Sequence, residues 1–195
     1  MEKLLLTGFG PFGSHSTNVS GDAARELEGL EVDGFQVVTR VLPVQFEEAV
    51  AELEAALAEE QPAAVLATGI HAGDDGFRVE LSARNLRDYE LPDAAGQTVR
   101  GAPVAAGAPP MGYGRLPVAA LKAALEEAGF EASLSEDAGA YLCNAIFFWL
   151  CQQDVPAGFV HLPAATEPGE ASRGLQAVLG AVGARLAAQR VEATA

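Results

Sequence analysis

Apolar runs typical of buried strands alternate along this chain with longer segments in which apolar residues recur at helical spacing. The predicted strands are KLLLTG, FQVVTRVLPV, AAVLATG, EASLSE and AGFVHLP. The predicted helices are VSGDAARELEG, FEEAVAELEAALAEE, LPVAALKAALEEAG, AYLCNAIFFWLCQQ and a last segment from about Glu170 to Val191. Strands joined through helices by short links favour right-handed crossovers and a mainly parallel sheet with helices on both faces.

The pattern loosens between Ile70 and Gly114, where polar alternation, glycines and prolines replace any long helix. We expect irregular structure with short strands in this segment. No internal repeat or linker divides the chain. The sequence therefore predicts an α/β fold in one domain over residues 1–195, a three-layer α/β/α sandwich around a mainly parallel twisted sheet.

The composition limits which binding partners and which cellular compartment we expect for the protein. The chain carries 12 lysines and arginines against 27 aspartates and glutamates, a net charge of -15, which opposes binding to nucleic acid or to an anionic membrane. Its apolar runs are too short to span a bilayer and its N-terminus lacks signal-peptide features, so we expect a cytoplasmic protein. Cys143 and Cys151 lie about 12 Å apart along one predicted helix, too far for a disulfide, so both thiols are expected to be free.

The opening loop TGFGPFG contains the spacing G-x-G-x-x-G directly after a predicted strand, as a dinucleotide-binding loop would. Three features argue against a phosphate site. Pro11 removes an N–H donor, Phe9 and Phe12 place large rings in the loop, and the second strand ends without an acidic residue for a ribose. Two readings stay open: the rings belong to the core under a tight turn, or they present an aromatic surface to a small flat ligand.

Three side chains with chemical potential fall at the ends of predicted elements. His161 ends an apolar strand, and Cys143 opens a helix, whose positive end favours a thiolate. Glu80 follows the third strand and is a candidate to orient an imidazole, as in hydrolase triads. Taken singly, each residue also fits a structural role in the core or on the surface. No motif with metal-ligand spacing occurs, so no metal site is expected.

Four stretches carry a resemblance that covers nearly the whole chain. They are LLTGFGPFG with Asn18 shortly after, ELSARNLRDYELPDAAGQ, AGAYLCN and GFVHLP. They follow, in the same order, the patterns TGF-x-PFG…N, E-R-x-A-x-N-x-x-D…IPD-x-x-G, AG-x-(Y/F)-V-C-N and GF-(I/V)-H-(I/V)-P. On these residues the chain resembles the pyroglutamyl peptidase I (pyrrolidone-carboxylate peptidase) family of cysteine peptidases, exopeptidases that remove N-terminal pyroglutamate from peptides.

The resemblance implies a catalytic triad and a cofactor-free reaction. Cys143 is then the nucleophile, His161 the general base and acid, and Glu80 the group that orients His161. The predicted partners are pyroglutamyl-peptide substrates, and the resemblance also implies a homo-oligomer, a dimer or a tetramer.

The resemblance also implies a pocket for the flat lactam ring of pyroglutamate. Its expected walls are Phe9 and Phe12 of the opening loop, together with Tyr141 and Leu142 just before the nucleophile. His71 occupies the place of a glutamine that reads the lactam in the family, so we expect His71 to contact the substrate.

Two further positions depart from the family pattern. Leu81 replaces the arginine directly after the glutamate of the triad, and Glu90 replaces an arginine proposed to help stabilise the oxyanion. These departures and His71 motivate two alternatives. One is a related cysteine amidohydrolase with a different N-terminally blocked substrate, and the other is a non-catalytic homologue that binds a small molecule.

Overall fold

The chain folds as eleven strands and five helices within the residues that the structure, a computed structural model, describes: 1–13, 16–73 and 76–194. The strands are β1 (Glu2–Phe9), β2 (Glu31–Val32), β3 (Phe35–Leu42), β4 (Ala64–His71), β5 (Phe77–Glu80), β6 (Ser82–Arg84), β7 (Arg87–Tyr89), β8 (Val99–Ala102), β9 (Met111–Tyr113), β10 (Ala132–Ser135) and β11 (Ala157–Pro163). The helices are α1 (Val19–Glu26), α2 (Phe46–Glu60), α3 (Val118–Glu127), α4 (Leu142–Cys151) and α5 (Pro168–Thr194).

Seven strands form one sheet in the order β10-β5-β11-β4-β1-β3-β2. The β3–β1–β4–β11 group is parallel throughout, as the alternation of strands and helices predicts. The reversal occurs where β5 pairs antiparallel with β11, and β10 then runs parallel to β5. The predicted α/β fold with a mainly parallel sheet is confirmed.

Helices cover both faces of the sheet because the strands bury both sets of alternating side chains. On one face Leu4, Leu66 and Val160 belong to a core cluster that includes residues of α1, α3 and α5. On the other face Leu5, Val65 and Phe159 pack with residues of α2 and α4. Such continuous apolar strands are typical of a sheet buried on both sides.

The loosely patterned segment contains the five strands from β5 to β9, and its described residues form no helix. Of these strands only β5 joins the large sheet. Strand β6 pairs with β9, and β7 pairs with β8, in two separate two-stranded sheets. Glu80, which the sequence places merely past the third strand, is thereby the last residue of a sheet strand beside β11.

Gly8 of the opening loop allows β1 to pack closely against α1. A Cβ atom on Gly8 would lie 2.1 Å from the carbonyl oxygen of Ser20, so only glycine fits there. Asn18 caps α1 by accepting the Ser20 N–H at 3.1 Å and donates to the Gly10 carbonyl at 3.1 Å. The Ser20 hydroxyl accepts the Phe9 N–H at 3.0 Å. The loop is thus held by hydrogen bonds to protein groups at Phe9 and Gly10.

No helix within the described ranges has the length and apolarity needed to cross a membrane.

Candidate active site

Two neighbouring antiparallel strands bring His161 and Glu80 onto the same face of the sheet. In the β11–β5 pair His161 lies opposite Arg78 and Phe159 opposite Glu80, so the side chains of His161 and Glu80 are diagonal neighbours. Nδ1 of His161 lies 2.7 Å from Oε1 of Glu80. Both side chains are buried, with 7% and 1% of their surfaces exposed. A carboxylate at this position fixes the ring and leaves Nε2 available on the other side.

The thiol of Cys143 reaches His161 from the helix layer. Cys143 is in the first turn of α4, and it lines the same hollow as His161. Beneath the thiol lies β4, where Gly69 is in register with His161 of β11. A Cβ atom on Gly69 would lie 2.6 Å from Sγ of Cys143, closer than any real contact. The sulfur therefore rests directly on the strand backbone, and only glycine leaves room for it.

His161 is held in its charged form by its neighbours. Burial by itself lowers the pKa of this histidine, but the charge and hydrogen bond of Cys143, followed by the hydrogen bond and charge of Glu80, outweigh burial and raise the pKa to about 9. The second oxygen of Glu80 is buried and has no hydrogen-bond partner among the described residues. These neighbours therefore favour the imidazolium form of His161.

The N-terminus of α4 presents backbone N–H groups beside the thiol. The helix starts after Tyr141 without a side-chain cap, and its first helical bond runs from the Ala145 N–H to the Tyr141 carbonyl. The N–H groups of Leu142, Cys143 and Asn144 therefore precede the helical hydrogen-bond ladder. Such groups, together with the helix dipole, suit a negatively charged oxygen.

A small apolar pocket of about 50 Å³ adjoins Cys143. It is lined by Phe9, Phe12, Asn18, Val44, Ile70, Tyr141, Leu142 and Cys143. All four aromatic and aliphatic residues expected at a substrate pocket are therefore together. Phe9 and Leu142 are buried in the core, with 4% and 1% exposed, whereas Phe12 and Tyr141 are only partly buried. The core reading holds for Phe9, which also forms a pocket wall, whereas presentation of the rings to a ligand stays a prediction.

Tyr141 is held in place by contacts on the side away from the thiol. Its hydroxyl donates to the Pro92 carbonyl at 3.3 Å, and its ring meets that of Tyr89 edge-on, with centroids 4.7 Å apart. Burial and then the charge of Asp93 raise the pKa of the Tyr141 phenol to about 12, so the hydroxyl stays neutral.

His71 lies at the end of β4, and both of its ring nitrogens contact the backbone of the following loop. Nδ1 accepts the Gly73 N–H at 3.1 Å and Nε2 lies 3.0 Å from the Gly76 carbonyl. The accepting role of Nδ1 places the proton on Nε2, which donates to Gly76. The ring is edge-on to His161, with centroids 6.2 Å apart. A substrate contact by His71 stays a prediction.

The two other departures from the family pattern lie apart from the small pocket. Glu90 is 77% exposed and forms an ion pair with Arg100. Leu81 donates its N–H to the Ser135 carbonyl at 2.8 Å, and its own carbonyl accepts the Gly114 N–H at 3.1 Å, so the residue continues the strand network after Glu80.

Sequence reasoning missed residues that support the site from behind. Asn144 is fully buried; its Oδ1 accepts the Arg84 N–H at 2.7 Å, and its Nδ2 donates to the carbonyls of Arg84 and Leu86. It ties the start of α4 to the chain that follows Glu80. Gly69 was also missed. The asparagine directly after the cysteine in AGAYLCN was an available signal, whereas a lone glycine in a strand was not.

The second thiol occupies a different environment at the other end of α4. Burial raises the pKa of Cys151 to about 12, with Arg115 opposing the shift. Neither cysteine is in a disulfide. Among the residues that the structure describes, no group of three or more potential ligands could hold a metal ion.

Comparison with known proteins gives one consistent family. A family model described as pyroglutamyl peptidase matches residues 2–182. The chain is 41% identical over 172 residues to the pyrrolidone-carboxylate peptidase of Deinococcus radiodurans, covering 84% of this chain and 79% of that protein. It is 39% identical over 164 residues to the protein of that name from Chromobacterium violaceum, with coverages of 84% and 78%. Pyroglutamyl peptidase I from Bacillus amyloliquefaciens has the same fold, with a TM-score of 0.90, 25% identity, and coverages of 94% and 98%.

Proposed function

This chain belongs to the pyroglutamyl peptidase family, and we propose that it is a cysteine exopeptidase that hydrolyses the bond after an N-terminal pyroglutamyl residue. One observation carries the assignment of roles: Cys143, His161 and Glu80 line one hollow beside a small apolar pocket, in a row in which His161 is hydrogen-bonded to Glu80 and has its pKa raised by Cys143. The row has the order of nucleophile, base and orienting group that acyl transfer by a cysteine requires.

In the first step, the thiolate of Cys143 attacks the carbonyl carbon between pyroglutamate and the next residue, and a new C–S bond forms. The negative charge moves to the carbonyl oxygen, which the N–H groups at the start of α4 stabilise. The imidazolium of His161 then gives its proton to the leaving nitrogen as the C–N bond breaks. The remaining peptide departs with a free amino group, and pyroglutamate stays bound as a thioester.

In the second step, water hydrolyses the thioester. His161, now neutral, takes a proton from the water as the oxygen attacks the same carbonyl carbon. The C–S bond breaks, pyroglutamate leaves, and the thiolate–imidazolium pair is restored. In both steps Glu80 holds Nδ1 of His161 and stabilises the imidazolium whenever the ring is charged. The reaction needs no cofactor.

The small pocket accounts for the choice of a flat, uncharged ring. Phe9, Phe12, Tyr141 and Leu142 offer apolar walls, and the pocket is small, about 50 Å³. An N-terminal residue with a charged amino group would have to lose its hydration without a partner in these walls. We therefore expect prolyl and alanyl conjugates to be rejected.

The test compares release of a fluorogenic amine from pyroglutamyl, prolyl and alanyl conjugates. Wild-type protein is measured beside Cys143→Ala and the matched thiol control Cys151→Ala, all under reducing conditions. We expect turnover of the pyroglutamyl conjugate alone, loss of turnover in Cys143→Ala, and near-normal rates in Cys151→Ala. Activity that survives in folded Cys143→Ala would overturn the role of the nucleophile, and a folded wild type that prefers another conjugate would overturn the substrate.

A modifying reagent separates the two thiols further. Brief treatment with iodoacetamide near pH 7 is expected to alkylate Cys143 and abolish activity, whereas Cys151 stays unmodified because its pKa of about 12 leaves it protonated. Mass spectrometry of the two cysteine peptides reads the outcome. Equal labelling of both residues in the folded protein would contradict the proposal that Cys143 is activated.

We also propose that the enzyme works in the cytoplasm as a dimer or tetramer. A cysteine nucleophile needs a reducing compartment, and both thiols here are free. The oligomeric state rests on the family resemblance, and light scattering of the purified protein tests it.

A further inference from the structure

A hollow larger than the small pocket opens at the same edge of the sheet, and the chemistry described so far does not use it. Its volume is about 600 Å³. We call it the α1–α5 cleft. Its walls are residues 17–19 and Asp22 at the start of α1, residues 70–72 at the end of β4, residues 164–168 before and at the start of α5, and Phe12.

The cleft is continuous with the site of the nucleophile. Phe12, Asn18 and Ile70 line both the cleft and the small pocket beside Cys143. Ile70 and His71 line both the cleft and the hollow that holds Cys143, His161 and Glu80. Ile70 thus borders all three spaces, and it directly follows Gly69, on which the thiol rests.

We propose that the α1–α5 cleft binds the part of the peptide that follows the pyroglutamyl residue, and that it favours basic side chains there. The proposal rests on the proposed function. The small pocket is filled by the ring on one side of the thiol. The chain after the cleaved bond must leave in another direction, and the cleft is the larger opening that adjoins the thiol site. Its volume lies within the range of sites that hold drug-sized ligands, roughly 300–1,000 Å³.

The charged side chains on the walls of the cleft are the reason to expect a preference for basic residues. Among the described wall residues, the carboxylates are Asp22 and Glu167 and no lysine or arginine is present. Asp22 accepts a hydrogen bond from Arg25 at 2.9 Å, three residues further along the chain. Because this ion pair is exposed to water, it is weak, and the carboxylate stays accessible. Glu167 lies just before α5, where its carbonyl accepts the N–H groups of Glu170 and Ala171. The net charge of -15 strengthens the same field.

The positive ends of two helices oppose this preference for basic side chains. The cleft borders the N-termini of α1 and α5, whose positive ends attract anions when no carboxylate is nearby. Asp22 and Glu167 occupy these ends and reverse the sign. Removing both carboxylates is therefore expected to abolish the preference for basic residues rather than to weaken binding of every peptide equally.

The experiment measures kcat/KM for C-terminally amidated peptides of the form pyroglutamyl-alanyl-X, with X as lysine, norleucine or glutamate. Asp22→Asn, Glu167→Gln and the double variant are compared with wild type and with Glu54→Gln, an exposed carboxylate on α2 away from the cleft. The fluorogenic pyroglutamyl amide, which has no peptide beyond the cleaved bond, is measured for each protein.

We expect wild type to prefer lysine over glutamate by about 5- to 20-fold, since each exposed carboxylate contributes roughly a two- to fivefold effect. The preference is expected to fall in each single variant, to vanish in the double variant and to shrink in 0.5 M salt. Turnover of the fluorogenic amide stays unchanged in all variants. Equal rates for the three peptides in wild type, or an unchanged preference in the double variant, would overturn the inference. A wild type that fails on the fluorogenic amide would instead overturn the proposed function.

Discussion

At the scale of single residues, Gly69 determines where the nucleophile can lie. Its backbone conformation is ordinary for a strand, so alanine is acceptable to the chain itself. The added Cβ would nevertheless lie 2.6 Å from Sγ of Cys143 and 3.1 Å from Cζ of Phe159. We expect Gly69→Ala to lower kcat by about 100-fold, because displacing a reacting atom by about 1 Å has costs of that order.

Steady-state kinetics with the fluorogenic amide measure this effect, and circular dichroism checks the fold. Gly180→Ala is the matched control, since nothing lies within 4 Å of the Cβ that it adds on α5. A Gly69→Ala enzyme with near-normal kcat would mean that the thiol has room that the structure does not show.

Glu80 is expected to act through the charge of His161. Burial lowers the pKa of His161, while Cys143 and then Glu80 raise it to about 9. Glu80→Gln keeps the shape and a hydrogen-bonding oxygen but removes one of the raising charges, so the pKa of His161 falls. If the imidazolium is the active form, the alkaline limb of the profile of kcat/KM against pH moves to lower pH. The rate at pH 7 falls by roughly 10²- to 10⁴-fold, as for other triads that lose the third carboxylate.

The pH profiles of wild type, Glu80→Gln and the exposed control Glu54→Gln separate this role from a structural one. A purely structural loss would lower the whole Glu80→Gln profile without moving its alkaline limb. That outcome would remove Glu80 from the triad.

At the scale of elements, Asn144 joins α4 to the chain after Glu80. Its amide makes three hydrogen bonds to backbone groups of Arg84 and Leu86, at 2.7 to 2.9 Å, with no exposed surface. Asn144→Ala leaves these groups without partners and is expected to cost about 2–4 kcal/mol. For a chain of this size the melting temperature falls by roughly 4–16 °C. Thermal unfolding measures it, with the exposed Gln152→Ala at the C-terminal cap of α4 as control. A change below about 1 °C would contradict the role of Asn144.

Much of the element order was predictable, because each apolar run was long enough to specify a strand or helix by its period. Residues 46–60 were predicted as a helix and form α2 with those bounds. The reversal at β5 was not predictable, since four residues that alternate in polarity suit a strand in either direction.

The candidate site could likewise be predicted only in part from the sequence. The motifs around Glu80, Cys143 and His161 singled out three residues that the structure brings together in one hollow, because their residue types are tied to the chemistry. The roles of Gly69 and of the His71 ring nitrogens depend on how α4 crosses β4 and on how one loop closes. Those are distances between segments remote in sequence, which a pattern along the chain does not contain.

At the scale of the whole molecule, the buried ion pair links the site to the pH dependence of stability. An unfolded histidine titrates near 6.5, whereas the pKa of His161 is raised to about 9 in the fold. A raised pKa means that the folded state binds the proton more tightly. The stabilisation is therefore fully present below about pH 6.5 and is lost as the pH rises through about 9.

We expect the free energy of unfolding of the wild type to decline between pH 6.5 and 9.5 more steeply than that of His161→Gln. The variant leaves Glu80 buried without its partner and is less stable at every pH, so the informative quantity is the slope and not the level. Urea unfolding under reducing conditions, at four pH values across this window, measures it. Repulsion within a chain of net charge -15 contributes to both proteins alike and cancels in the difference between the slopes. Parallel slopes would mean that His161 is not charged in the folded protein, and the thiolate–imidazolium pair would have to be replaced by a neutral thiol and imidazole.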